Sequence, residues 1–310
     1  MVPFWTYASS VWSQVAATEL RWIASNEMTL FNNKGLELEN RDALNRFSAA
    51  QFGYLQSMPV AVASNAMNRE IGYDGFEDQG FNLDCAGENC AIPHPLGIRS
   101  LFNGTSIKLD QQNVHNGKYS LYLGQAINLL RSSATLDAQG FPVKAATTSF
   151  DAGGQYLLTN NDQLNGFSPF PQKEYLISFW VKDNAPTQNT VNLTVQVNGT
   201  NVFTSSNRVP VVEKWKRVEA RFTTTTGNQV ISIIPTGAVY VDDIRIHPYN
   251  AQMKSFTYDP VSTRLMAELD ENNFSTKYEY DDEGTLIRVK KETEKGIMTI
   301  KETRSSMKRN

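Results

Sequence analysis

Short runs of alternating apolar and polar residues fill the middle of this chain, and that alternation constrains the fold more than any other feature. In Tyr175 to Lys182, the side chains of Tyr175, Ile177, Phe179 and Val181 would point one way and those of Leu176, Ser178, Trp180 and Lys182 the other. Val191, Leu193, Val195 and Val197 face in, with Asn192, Thr194 and Gln196 out; Val218, Ala220 and Phe222 face in, with Arg217, Glu219 and Arg221 out. A period of two sends alternate side chains to opposite faces of a pleated strand. Asn198-Gly199, Val209-Pro210 and Gly227-Asn228 punctuate the runs. Val230 to Ile234 adds a further strand. Val239-Tyr240-Val241-Asp242-Asp243-Ile244-Arg245-Ile246 reads as a strand with two acids set into an apolar alternation, closing the unit. Many short strands between turn signals predict an all-β protein built on a sandwich or jelly roll.

The chain has 310 residues, room for one large or two to three small domains, and a formal net charge of −3. That charge argues against nucleic acid or an anionic membrane as the main partner. No run approaches the roughly 18 apolar residues of a membrane span. The opening residues lack the basic and apolar regions of a signal peptide. Either the chain is cytoplasmic or it is part of a longer secreted precursor, and an extracellular or cell-surface location is the expectation.

Three regions are expected. Residues 1–69 hold an ambiguous start, a strand at Met28 to Phe31, a turn at Asn32 to Gly35, a returning strand and one short helix over Arg41 to Tyr54, with Asp42 near its N-terminal dipole. Residues 70–248 form the jelly roll, opening on Ile71 to Asp78. Residues 249–310 change character: Lys254 to Asp259 ends in Tyr258-Asp259, and Lys277 to Asp281 repeats that ending before Gly284. The basic end of the chain mixes Glu292, Glu294 and Glu302 with lysines and reads as a solvated strand.

Cys85 and Cys90 are the two cysteines, both in a polar loop. A disulfide in an oxidising compartment is the expected state; free thiols and a zinc site with His94 are the alternatives.

Tyr258-Asp259, Arg264-Leu265, Asp270, Asn272, Tyr278, Tyr280-Asp281, Gly284 and Leu286 resemble the YD repeats of the Rhs family of bacterial surface and secreted proteins, with Asn273 where that family usually has Gly. Gly35 to Leu44 and Gly75 to Asp78 look like the region preceding such a tail. The resemblance implies that the partner is the upstream part of the same polypeptide or a larger surface assembly. Gly75 to Asp78, Asn116 to Leu121, Tyr175 to Lys182 and Tyr240 to Ile244 are similar to carbohydrate-binding modules of the galactose-binding-like type. In that family a structural calcium ion often joins the first and last strands. The resemblance would place Glu77 and Asp242 among its ligands, with backbone carbonyls near Gly117 or Lys118, and oxygen donors suit a hard cation.

Bland readings stand beside these. Glu77, Asp242 and Asp243 either bind calcium or cap turns on a solvated edge. Trp180, with Gln196, Arg217 and Glu219, is either a sugar-stacking platform or packing beneath the N-terminal segment or the tail. His94, His115 and His247 show no metalloprotease spacing, and no nucleophile elbow, phosphate loop or dinucleotide fingerprint is present. A non-catalytic structural or binding role is therefore expected, with a glycan-binding adhesin as the alternative and a hydrolase assembled across domains as the weakest.

Overall fold

The computed structural model describes residues 5–8, 11–14, 25–32, 34–79, 95–132, 148–150, 156–158, 167–185 and 187–303. Cys85, Cys90 and His94 lie outside the described residues.

The inward residues of the alternating runs meet as anticipated. Leu121, Leu123, Phe179, Val181, Leu193, Val195, Val218, Ile231, Ile233, Val241, Ile244 and Ile246 form one buried cluster. Each such side chain contributes about 1.5–3 kcal/mol when fully buried. One sheet of this jelly-roll sandwich runs Val211–Val212, Trp215–Thr223, Glu174–Lys182, Val239–Pro248, Ser120–Leu123, Ile107–Asp110, with Gly72–Asp74 also paired to Val239–Pro248. The other runs Ile127–Ser132, Asn228–Pro235, Leu193–Val197, Thr200–Phe203.

A third, nine-stranded antiparallel sheet joins the two ends of the chain. Its order is Gly296–Glu302, Leu286–Thr293, Ser275–Tyr280, Leu265–Leu269, Gln252–Tyr258, Met58–Ser64, Phe47–Gly53, Glu37–Asp42, Asn26–Phe31. The junction is the pairing of Gln252–Tyr258 with Met58–Ser64. The jelly roll is thus an insertion between two neighbouring strands of one meander.

The expected helix over Arg41 to Tyr54 is a strand, a turn and a strand. Asp42 does not start a helix; its Oδ1 accepts the amides of Leu44 at 2.8 Å and Arg46 at 2.9 Å, closing an Asx-type turn. Phe47–Gly53 then pairs with Met58–Ser64 on one side and Glu37–Asp42 on the other. Helix propensity is a weak prior that tertiary pairing overrides. Here Ala49, Ala61, Ala63, Ser255 and Ser275 are buried. Small side chains let this sheet lie against the outer face of the sandwich.

The strand Val239–Pro248 lies at the interface of all these layers. Its register against Glu174–Lys182 shifts between Ser178, opposite Arg245, and Trp180, opposite Asp242. Asp243 is the extra residue, with φ of 52°, a β-bulge in the left-handed region. The bulge resets the alternation: Val241 and Ile244 both face the core, while Asp242 and Asp243 both reach the same turn, at His115 and Asn116.

Candidate functional site

The acids singled out in the sequence converge. Asp242 Oδ2 accepts the amides of His115 at 2.9 Å and Asn116 at 3.3 Å. Asp243 Oδ2 lies 2.9 Å from His115 Nδ1 and accepts Asn116 Nδ2 at 2.6 Å, while its Oδ1 accepts the Tyr73 hydroxyl at 3.1 Å. Glu77 Oε1 accepts the amides of Lys118 and Tyr119, both at 2.7 Å. One turn, 115–119, therefore ties Glu77 after the first strand of the sandwich to Asp242 and Asp243 on the last. Gly117 has φ of 68°, and a methyl there would collide with Glu77 Oε1 and press on Thr257.

These carboxyls are deeply buried. Burial, followed by the neighbouring charge of Asp243, pushes Asp242 well above the usual carboxylate range. Burial lifts Glu77 to about 8, against the amide bonds of Tyr119 and Lys118 that pull it down.

Amide donors fill much of what a calcium ion would otherwise take. Among the described residues, no three His, Cys, Asp or Glu side chains form a group able to hold a metal. Within this cluster two buried oxygens nonetheless have no hydrogen-bond partner: Glu77 Oε2 and Asn116 Oδ1. A buried acceptor without a donor is costly. Oxygen donors of this kind, with backbone carbonyls, are what the resemblance implies for a hard cation near Gly117 and Lys118. The atoms of that pair with a defined role here are the Lys118 amide and Lys118 Nζ, the latter 2.5 Å from Asp259 Oδ2.

Trp180 is not an open platform. It is fully buried, its Nε1 donates to the Asn273 carbonyl at 2.7 Å, His115 stacks on it at 4.3 Å, and Phe274 meets it edge-on at 5.6 Å. The C-terminal sheet covers this face, so the indole has no room for a sugar. Of its expected company, Arg217 pairs directly with Trp180 across the strands and Glu219 pairs with Ser178 on the same face. Arg217 spans from Asn272 O, at 2.5 Å, to Glu219, at 3.1 Å, on the covered side. Gln196 stands on the other sheet, donating to Asn201 Oδ1 at 2.8 Å.

A buried polar network centred on His115 was not anticipated. Its Nε2 lies 2.8 Å from Glu292 Oε1, whose partner oxygen accepts the amide and hydroxyl of Ser275, both at 3.0 Å. Glu292 is only 1 % exposed, so the tail strand is not solvated on this side. An imidazole flanked by carboxylates at both nitrogens donates from both when charged. Arg245 adds a second bridge, donating to the carbonyls of Asp270 at 2.7 Å, Met253 at 3.2 Å and Glu271 at 3.2 Å. His115 is only 4% exposed, and its bonds to Asp243 and Glu292 fasten the layers together. The doubled acids and the spacing of Val241 and Ile244 break the strict alternation and could have signalled the bulge; nothing local signalled Glu292.

Residues 170–236 are similar to a family of carbohydrate binding domains. That stretch runs from the loop before Glu174–Lys182 to the end of Asn228–Pro235, crossing both sheets of the sandwich and omitting Glu77, Asp242 and Asp243. Solved structures give a weak likeness. A Podospora anserina β-(1,4)-mannanase carrying a family 35 carbohydrate-binding module shares 15% identity at a TM-score of 0.26, over 46% of this chain and 25% of that one. The chain thus spans a quarter of that mannanase. Family 35 modules from Clostridium thermocellum (14% identity, TM-score 0.25, 46% of this chain, 87% of that) and Paenibacillus barcinonensis (13%, 0.24, 46% and 92%) are similar to the same extent. No curated protein matches the chain.

Proposed function

We propose that this chain is a non-catalytic glycan-binding region, with the jelly roll as binding unit and the nine-stranded sheet as its scaffold. The similarity of residues 170–236 to carbohydrate binding domains carries this reading. Its setting is a large secreted or cell-surface bacterial protein. The Tyr-Asp turns support that setting: Asp259 Oδ1 accepts the amides of Val261 and Ser262, and Asp281 Oδ1 that of Thr285. Among the described residues, the outer strands Asn26–Phe31 and Gly296–Glu302 each pair on one side only, so further strands of the same polypeptide or of a larger surface assembly are its natural neighbours. Calcium belongs to the same proposal, held by Glu77 and Asn116 beside Asp242 and Asp243 and clasping the first and last strands. The test is a glycan array probed with the whole chain. Retention on a defined set of glycans is expected; a chain that binds none of them is not a glycan-binding module.

A further inference from the structure

The nine-stranded sheet covers the outer face of the jelly roll at Trp180, and the next rung of that face is only half-buried. Lys182 pairs with Tyr240, Tyr240 with Tyr122, and Tyr122 with Lys108, so one rung crosses four strands as Lys-Tyr-Tyr-Lys. Both tyrosines are half-buried. Their ring centroids are 5.6 Å apart and their planes tilt by 60°. Lys108 Nζ lies 5.4 Å from the Tyr122 centroid. At the other end Lys182 Nζ donates to Asn113 Oδ1 at 2.8 Å. Tyr240 and Ile297 both pack against the cluster of Trp180, Val212, Trp215 and Phe274. The C-terminal hairpin therefore reaches the same cluster on which Tyr240 rests.

We infer that an extended, soluble oligosaccharide binds across the seam between the jelly roll and the C-terminal hairpin, with two successive sugar rings on Tyr122 and Tyr240 and Ile297 at their side. This rests on the glycan-binding reading and locates its site on residues outside the matched stretch. A pyranose ring has an apolar face edged by hydroxyls. A tyrosine offers the complement, an apolar ring ending in a polar group, and loses little side-chain freedom on contact. The separation of the two rings is comparable to one step along an extended chain of β-linked pyranoses. Their tilt requires neighbouring sugars to be rotated about the chain, which a single chain in solution allows and a flat crystalline surface does not. The lysines at the ends of the rung, with Asn113, supply hydroxyl partners. The buried cluster under Tyr240 fixes the platform before any ligand arrives, which lowers the ordering cost of binding.

Calorimetric titration of the whole chain with neutral β-linked gluco-, manno- and xylo-oligosaccharides, from monosaccharide upward, tests this. Affinity should rise steeply from one sugar to two or three and then level off, with no retention on crystalline cellulose. Tyr122→Ala and Tyr240→Ala should each weaken binding about tenfold, a loss of about 1.4 kcal/mol, while a cooperative melt shows that each variant still folds. Tyr240→Phe should restore the stacking part, and Ile297→Ala should weaken binding less. Full affinity in the Tyr122→Ala/Tyr240→Ala double variant would overturn this site while leaving glycan binding intact. Absence of binding to every oligosaccharide by the unaltered chain would remove both.

Discussion

His115 Nε2 lies 2.8 Å from Glu292 Oε1, and each side chain is only 1 % exposed. The pair joins a turn of the jelly roll to the C-terminal hairpin. The same imidazole meets Asp243 through Nδ1, 2.9 Å away, and Trp180 through its face. One side chain thus touches the last strand of the sandwich, its central strand and the sheet laid over them.

Removing Glu292 leaves His115 Nε2 and the Ser275 hydroxyl without this partner in a buried site. Glu292→Ala should therefore cost about 3–5 kcal/mol in urea denaturation, and Glu292→Gln, which keeps an acceptor, should cost less. Burial raises the Glu292 carboxyl, but the charge of His115 and its hydrogen bond outweigh that and hold it below the ordinary value. A depressed carboxylate stabilises the fold above its unfolded pKa and loses that contribution as pH falls through the folded one. Equal acid sensitivity in the unaltered chain and Glu292→Gln would contradict this assignment.

Glu77 and His247 should give stability a maximum in pH. Glu77 rises from 4.5 to about 8 through burial, so the folded state holds its proton longer and stability falls as pH climbs through that window. His247 drops from 6.5 to about 4, again through burial, so stability falls as pH is lowered from 6.5 toward 4. In melting curves taken across pH, Glu77→Gln should flatten the alkaline limb and His247→Asn the acid limb. An alkaline limb unchanged in Glu77→Gln rules out this role.

Calcium would reverse the behaviour of Glu77, because a bound cation favours the ionised carboxylate. Added calcium should raise the Tm more at pH 8 than at pH 5, EDTA should undo the gain, and Glu77→Gln should show little of it. A Tm indifferent to calcium and EDTA at both pH values would remove the ion from the clasp.

Gly117→Ala tests the turn without touching a charge. The left-handed φ of 68° disfavours any side chain, and the new methyl would meet Glu77. A loss of about 1–3 kcal/mol is expected in chemical denaturation. A neutral outcome would show that the turn relaxes away from Glu77.

Trp180→Ala should damage stability rather than sugar contact. Emptying a fully buried site of this size costs about 3–5 kcal/mol, while Trp180→Phe should keep both fold and glycan affinity. If Trp180→Phe abolished binding at an unchanged Tm, the indole would be a ligand contact after all.

Much of the sandwich was legible because period-two patterning records which face each residue buries. Leu193, Val195 and Val197, or Val218, Ala220 and Phe222, needed no partner to be assigned. The segment Arg41 to Tyr54 misled because alanine-rich stretches suit a helix locally, and only its neighbours Met58–Ser64 and Glu37–Asp42 impose a strand. Trp180 was correctly set on the outer face, but what covers it is a hairpin whose Asn273 and Phe274 lie far along the chain.

By itself the sequence determined the main strands of the sandwich, their turn positions and inward faces, and the pair of acids that closes it, because each depends on residues a few positions apart. Only the tertiary structure decided that both chain ends share one sheet, that His115 meets Glu292, and that the open aromatic rung is Tyr122 with Tyr240 rather than Trp180. Those outcomes depend on pairings between distant strands, where the small side chains Ala61 and Ser255 allow two layers to approach and desolvate whatever lies between them.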